Sequence, residues 1–219
     1  MLQLAVFDLA GTTIRDDNAV LRCLVEAIEA AGYVADRDAL NARMGIPKPV
    51  AIAQTLPDVP EGLRTAIHSD FRERMIRHYE TSPEVGAFDG VEELFAELRA
   101  RGTRVALDTG FDRETIDVLL MRLGWQAAVD DSIGSDEVSH GRPAPDMVLA
   151  LMRQFGITDA ATVAKVGDTP SDIGEGRAAG CGAVIAVTYG THTEAQLRAH
   201  GPTHIVDTVA ALRDVLLSL

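Results

Sequence analysis

Two hydrophobic periods alternate along the chain. Compact apolar runs closed by polar turn residues occur at 2–7, 104–107, 127–129, 162–166, 183–187 and 204–206, and they predict buried β-strands. Between them, segments 90–101, 113–123, 145–155, 171–179, 194–199 and 208–217 carry apolar residues at helical spacing. In the first of these, Val91, Leu94, Phe95 and Leu98 share one face. Strands alternating with helices predict an α/β fold, a mostly parallel sheet covered on both sides. Ligands of such sheets bind beyond the carboxyl ends of the strands.

Between about residue 17 and residue 83 the strand period is missing. Leu21, Leu24, Val25 and Ile28 form one helical stripe, and Leu63, Ile67, Phe71 and Met75 form another. This stretch predicts a helical insertion after the first strand. The chain is thereby expected to divide into a Rossmann-like core, residues 1–14 and 86–219, and an α-helical cap, residues 15–85. Gly86 and the segment 13–17 are the expected hinges.

Composition narrows the class. With 219 residues, 47% apolar and 24% charged, the chain can bury a sizeable core. A net charge of −13 argues against nucleic acid or an anionic membrane surface as partner, since both select clustered Lys and Arg. Cys23 and Cys181 are too few for a disulfide framework or a thiolate metal site. The N-terminus has no basic region followed by a long apolar stretch, and no later run reaches membrane-spanning length. A cytoplasmic location is expected. Of the 20 basic residues only Lys48 and Lys165 are lysines. A guanidinium does no amine chemistry, so each lysine calls for its own reason.

Four segments carry candidate chemistry. The first strand ends at Asp8, and the following Gly11-Thr12-Thr13 offers a tight turn whose N–H groups suit an anion. A second strand ends in Asp108-Thr109-Gly110, supplying a hydroxyl donor. Gly141-Arg142-Pro143 sets a bidentate phosphate ligand just before a helix. Gly167-Asp168-Thr169-Pro170-Ser171-Asp172 places two acids at the end of another buried strand. The loose glycine pattern 174–180 falls within a helical stretch and does not open one after a strand, so a dinucleotide is not expected there. The basic cluster Arg72, Arg74 and Arg77 reads as a solvated helix face.

In that order, the four segments resemble the haloacid dehalogenase superfamily over essentially the whole chain, helical cap included. The resemblance implies that Asp8 is a nucleophile, that Thr109 and Arg142 hold a phosphoryl group, and that Met44, Thr12 and Gly110 join Arg142 in binding substrate. It also implies a Mg²⁺ site made by Asp8, the Ala10 carbonyl, Asp168 and Asp172, consistent with that ion's preference for a few oxygen ligands. Ordinary phosphatases of the superfamily carry an acid two residues after the nucleophile; here that position is Ala10. Met44-Gly45-Ile46-Pro47-Lys48 in the cap, the Gly-Arg-Pro motif and Lys165-Val166-Gly167-Asp168-Thr169 resemble the phosphonoacetaldehyde hydrolase branch. There a cap lysine forms a Schiff base with the substrate aldehyde, which implies that role for Lys48.

Two positions depart from that branch: Ala51 stands where it has a histidine, and Phe111 where it has a tyrosine. The leading expectation is a Mg²⁺-dependent hydrolase cleaving phosphonoacetaldehyde or a close phosphonate. A phosphatase for a small phosphate ester is the alternative, and a catalytically weak binding or regulatory module is the third reading. A homodimer through the cap is a further expectation. Pro49 is expected to hold Lys48 extended on a loop. Lys165 is expected to pair with an acid, and His140 to lie exposed.

Overall fold

The computed structural model describes residues 1–15 and 17–219; Asp16, inside the segment expected to hinge, lies outside the described residues. The chain opens with β1 (Leu4–Asp8) and then four helices, α1 (Ala19–Ala30), α2 (Arg37–Asn41), α3 (Lys48–Thr55) and α4 (Glu61–Thr81). Alternation follows: α5 (Val91–Ala100), β2 (Arg104–Thr109), α6 (Arg113–Leu123), β3 (Asp131–Gly134), α7 (Asp146–Gln154), β4 (Val163–Gly167) and α8 (Pro170–Ala178). It closes with β5 (Ala183–Val187), α9 (Glu194–Arg198), β6 (His204–Val206) and α10 (Val209–Ser218). The strands form one parallel sheet in the order β3-β2-β1-β4-β5-β6. That is the expected Rossmann-like α/β core.

Strand alternation sorts the central residues onto two faces. Phe7, Val105, Leu107, Val166 and Ile185 join the larger core with Phe95 of α5 and Leu212 of α10. Leu4, Val6, Ala106 and Val163 face the other way and pack on Val148, Leu151 and Met152 of α7. Register then fixes the chemistry. Asp8 pairs directly with Asp108, and Val6 pairs with Lys165. In a parallel sheet, paired residues and their i+2 neighbours share a face. Asp8, Asp108 and Lys165 therefore rise from the same side at the carboxyl end of the sheet.

The expected strand at 127–129 is not there. Residues Trp125–Ala127 form a 3-10 turn, and the edge strand begins four residues later at Asp131. The apolar residues Ala128 and Val129 pack against the core from the turn that follows Trp125, whose ring meets Phe95 edge-on at 5.2 Å while its Nε1 donates to Glu92. Lys48 is also not on a loop: it is the first residue of α3. Pro49 sits in the first turn, where a missing N–H leaves no helical bond unmade, so proline tolerates the helix there.

In the inserted region, the stripes lie on α1 and α4, which pack together. Ile67, Phe71, Met75 and Tyr79 bury the α4 face, while Leu63 in its first turn stays exposed. The two connectors to this region run side by side. Arg15 N donates to the Gly86 carbonyl at 3.0 Å, and Phe88 N donates to the Thr13 carbonyl at 3.0 Å. No helix among the described residues is long and apolar enough to cross a membrane.

Candidate active site

The carboxyl ends of β1, β2 and β4 carry a buried ionic cluster. Five acids, Asp8, Asp108, Asp168, Asp172 and Glu175, are buried beside Arg142 and Lys165. Arg142 sits at its centre. Its Nη1 lies 2.6 Å from Asp8 Oδ1 and 2.9 Å from Asp172 Oδ1, its Nε donates to Glu175 at 3.0 Å, and its Nη2 meets Asp108. The same Nη2 donates to the Asp108 carbonyl at 2.8 Å. Lys165 enters from below, paired with Asp108 and lying 3.1 Å from Asp172 and 3.2 Å from Glu175. Gly176 allows this, since a Cβ there would stand 2.8 Å from Lys165 Cβ.

The local sequence explains each placement. Thr169 and Asp172 form a capping box that starts α8: the Asp172 carboxylate accepts from Thr169 N at 3.1 Å. Glu175, one helical turn on, shares the face of Asp172 and reaches the same two cations. Asp168 accepts from Thr191 N at 2.6 Å and from Thr12 Oγ1 at 3.3 Å. Gly11 and Gly190 close tightly over it, with Cβ positions 2.5 Å from its Oδ2.

Burial common to all and unequal neighbouring charge polarise the acids. Burial, with Asp172 and Asp168 adding to it, pushes Asp8 up to about 7 despite the opposing Arg142 and Lys165. Burial raises Glu175 well above the usual carboxylate range, and the neighbouring Asp108 charge raises it further. Asp108 lies in the opposite direction: burial works against its charge, but Arg142 and Lys165 hold it below its ordinary value. Lys165 and Arg142 are held above theirs by the same acids, against the cost of burial.

Above the cluster lies a small cavity of about 40 Å³. It is lined by Asp8, Ala10, Met44, Lys48, Thr109, Gly110 and Arg142, together with Phe111, Thr169 and Thr191. Thus the cap lysine and the strand-tip acid share one cavity. Lys48 is 4% exposed, donates from Nζ to the Ile46 carbonyl at 3.4 Å and sits 5.5 Å from the Phe111 ring centroid. The loop before it is seated on the core by glycines on both sides. A Cβ on Gly45 would overlap Thr169 Oγ1, one on Gly141 would overlap Pro47, and one on Gly110 would stand 2.9 Å from the Ile46 carbonyl.

Not every expected residue reaches the cavity. The Thr12 hydroxyl is turned onto Asp168, and Asp168 and Asp172 stand behind the wall. Arg142 lines the cavity, but its guanidinium is already held by protein acids, so its bond to Asp8 is the contact nearest the chemistry. Sequence reasoning missed Asp108 and Glu175. Strand register would have found the first, since Asp108 ends β2 as Asp8 ends β1; helical spacing from Asp172 would have found the second. Lys165 pairs with acids as expected, and His140 is exposed beside Asp146.

Oxygen ligands of Asp8, Asp108 and Asp172 lie within 4.8 Å of one another, a triad that could hold a metal ion. The Arg142 guanidinium contacts all three. This triad shares Asp8 and Asp172 with the expected set of Asp8, the Ala10 carbonyl, Asp168 and Asp172, and has Asp108 in place of the other two. Two observations fit a hard divalent cation there: the donors are all oxygen, and the buried acids Asp8, Asp108, Asp168, Asp172 and Glu175 outnumber the buried cations Arg142 and Lys165.

The chain resembles known proteins in sequence and in fold. The chain is 35% identical over 214 residues to the probable phosphatase IndB of Dickeya dadantii, covering 95% of this chain and 90% of that one. It is 31% identical over 195 residues to a phosphonoacetaldehyde hydrolase of Latilactobacillus sakei, covering 82% of this chain and 73% of that one. Its fold matches the crystal structure of a phosphonoacetaldehyde hydrolase-like protein from Oleispira antarctica with a TM-score of 0.88 at 22% identity, over 99% of this chain and 92% of that one. Residues 2–180 match the haloacid dehalogenase-like hydrolases, and the chain is a hydrolase of that family.

Proposed function

We propose that the enzyme cleaves the carbon–phosphorus bond of phosphonoacetaldehyde or a close phosphonate, with Asp8 as nucleophile and Lys48 as Schiff-base amine. The observation that carries this reading is the shared cavity: the one lysine of the inserted region, almost fully buried, lines the same small space as Asp8. Ala10 completes the argument. A phosphate ester needs an acid to protonate its leaving oxygen, an effect of about 10²–10⁴-fold, whereas an iminium withdraws the electrons itself.

The steps balance on the chain's own residues. The neutral Lys48 amine adds to the aldehyde carbon, and water leaves to give the iminium. An Asp8 oxygen bonds to phosphorus as the C–P pair moves into the iminium, leaving an enamine on Lys48 and a phosphoryl group on Asp8. Water then releases phosphate from Asp8; the enamine is protonated at carbon and hydrolysed, freeing acetaldehyde and the amine. Arg142 holds Asp8 in place, and Thr109 presents a hydroxyl at the cavity wall. Mg²⁺, held by Asp8, the Ala10 carbonyl and Asp168, would offset the phosphoryl charge. Borohydride added with phosphonoacetaldehyde should leave a reduced adduct on Lys48; turnover without that adduct overturns the mechanism.

A second reading, a phosphatase for a small ester, is favoured by Ala51 and Phe111 and by the probable phosphatase at 35% identity. It predicts that Ala10→Asp raises ester hydrolysis strongly while Lys48→Arg leaves it unchanged. A panel of small phosphate esters measures both.

A further inference from the structure

A second cavity, of about 210 Å³, lies on the other side of Lys48. It shares Lys48, Gly110 and Phe111 with the small cavity that holds Asp8, so these three residues form a common wall. Pro47, Val50 and Phe71 give it an apolar lining, and His68 stands in it, stacked on Phe71 with ring centroids 6.4 Å apart. Asp112, ion-paired with Arg72, and Asp136, which accepts from Arg113 N, also line it, so these charged groups already have partners and the apolar wall is what remains for a substituent.

The chemistry proposed for Lys48 gives this space a use. A carbon joined to the Lys48 nitrogen keeps two other substituents. One is the CH₂ that carries phosphorus, directed toward Asp8. The other is a hydrogen in an aldehyde and a carbon chain in a ketone, and it leaves the imine carbon away from the phosphoryl group. The small cavity is the narrower of the two, and the larger one, of about 210 Å³, begins at the same lysine. We infer that the larger cavity is a subsite for the carbonyl substituent, and that the enzyme accepts 2-oxoalkyl phosphonates, ketones with a short uncharged alkyl group, beside or in preference to the aldehyde. The inference rests on the Schiff-base reading. Iminium formation from a ketone consumes the carbonyl oxygen as water, and C–P cleavage then yields phosphate and the shortened ketone, so no further reactant is needed.

The test compares phosphonoacetaldehyde with 2-oxopropyl and 2-oxobutyl phosphonate, reading phosphate release and borohydride-trapped mass on Lys48. Both ketones are expected to label Lys48 and release phosphate, with kcat/KM rising about tenfold for each methylene that finds apolar wall. Val50→Trp, which narrows the cavity from its rim, should lower kcat/KM for the 2-oxobutyl compound at least tenfold more than for the aldehyde. Labelling by the aldehyde alone, or an equal loss on all three compounds in Val50→Trp, overturns the subsite and leaves the Schiff base standing. Failure of every carbonyl compound to label Lys48 overturns the Schiff base, and the subsite with it.

Discussion

Each charge beneath the cavity is costly alone and tolerable together. Arg142 and Lys165 are fully buried and are held by Asp8, Asp108, Asp172 and Glu175. Because acids already outnumber these cations, the cluster should be asymmetric to mutation. Lys165→Met strands buried carboxylates and is expected to cost about 3–5 kcal/mol. Glu175→Gln removes an acid that burial already pushes toward its neutral form, so its cost should be clearly smaller. Urea unfolding of the two variants decides the order. Asp8 gives a second prediction. Its folded value of about 7 lies above the ordinary 3.8, so the metal-free native state binds a proton more tightly than the unfolded chain. Its contribution is then fully present at acid pH and is lost as pH rises from about 4 to about 7. Asp8→Asn should abolish phosphate release while stabilising the metal-free protein at neutral pH by about 0.5–2 kcal/mol. Thermal unfolding of both forms across that window checks the sign. The sequence showed Asp8, Lys48, Thr109 and Arg142 as motif residues, but not that Arg142 would be consumed by acids. That depends on Asp108 and Glu175, which come near only through sheet register and the pitch of α8.

At the level of elements, the most legible parts were those whose local pattern and tertiary role agree. Segment 113–123 matches α6 end to end, because Asp112 caps it and Gly124 ends it in a left-handed turn. The edge strand was illegible for the opposite reason. Asp131-Ser132-Ile133-Gly134 is half-buried and polar, and its place depends on pairing with β2. Nor does periodicity reveal the glycines that seat the loop before α3. Gly45 has φ of 86°, in the left-handed region, and its Cβ position overlaps Thr169 Oγ1. Gly45→Ala should therefore lift Lys48 away from the cavity. The expected result is a fall in kcat/KM of about tenfold or more for phosphonoacetaldehyde, with the urea midpoint of the core nearly unchanged. An unaltered rate in this variant would show that the loop need not seat for turnover.

On the scale of the whole molecule, the narrow cavity and the net charge act on the same substrate. A space of about 40 Å³ between the inserted helices and the sheet is small for a phosphoryl-bearing substrate, so entry is expected to need the two parts to separate. The paired connectors at Thr13–Phe88 and Arg15–Gly86 are the covalent path about which they would turn. During that approach the phosphonate dianion of the proposed reaction would meet a protein of net charge −13, and the cations at the site are largely enclosed by acids. Long-range repulsion should therefore oppose encounter, while the local cations act only after entry. Salt weakens the first effect more than the second, because exposed charges are screened and buried pairs much less so. Raising ionic strength from about 10 to about 150 mM shortens the screening length from about 30 to about 8 Å, so kcat/KM should rise by a factor of a few at fixed Mg²⁺ while kcat stays level. The measurement is initial rates at subsaturating and saturating substrate across that range. A fall in kcat/KM with added salt would mean that attraction by the buried cations reaches beyond the cavity mouth and governs capture.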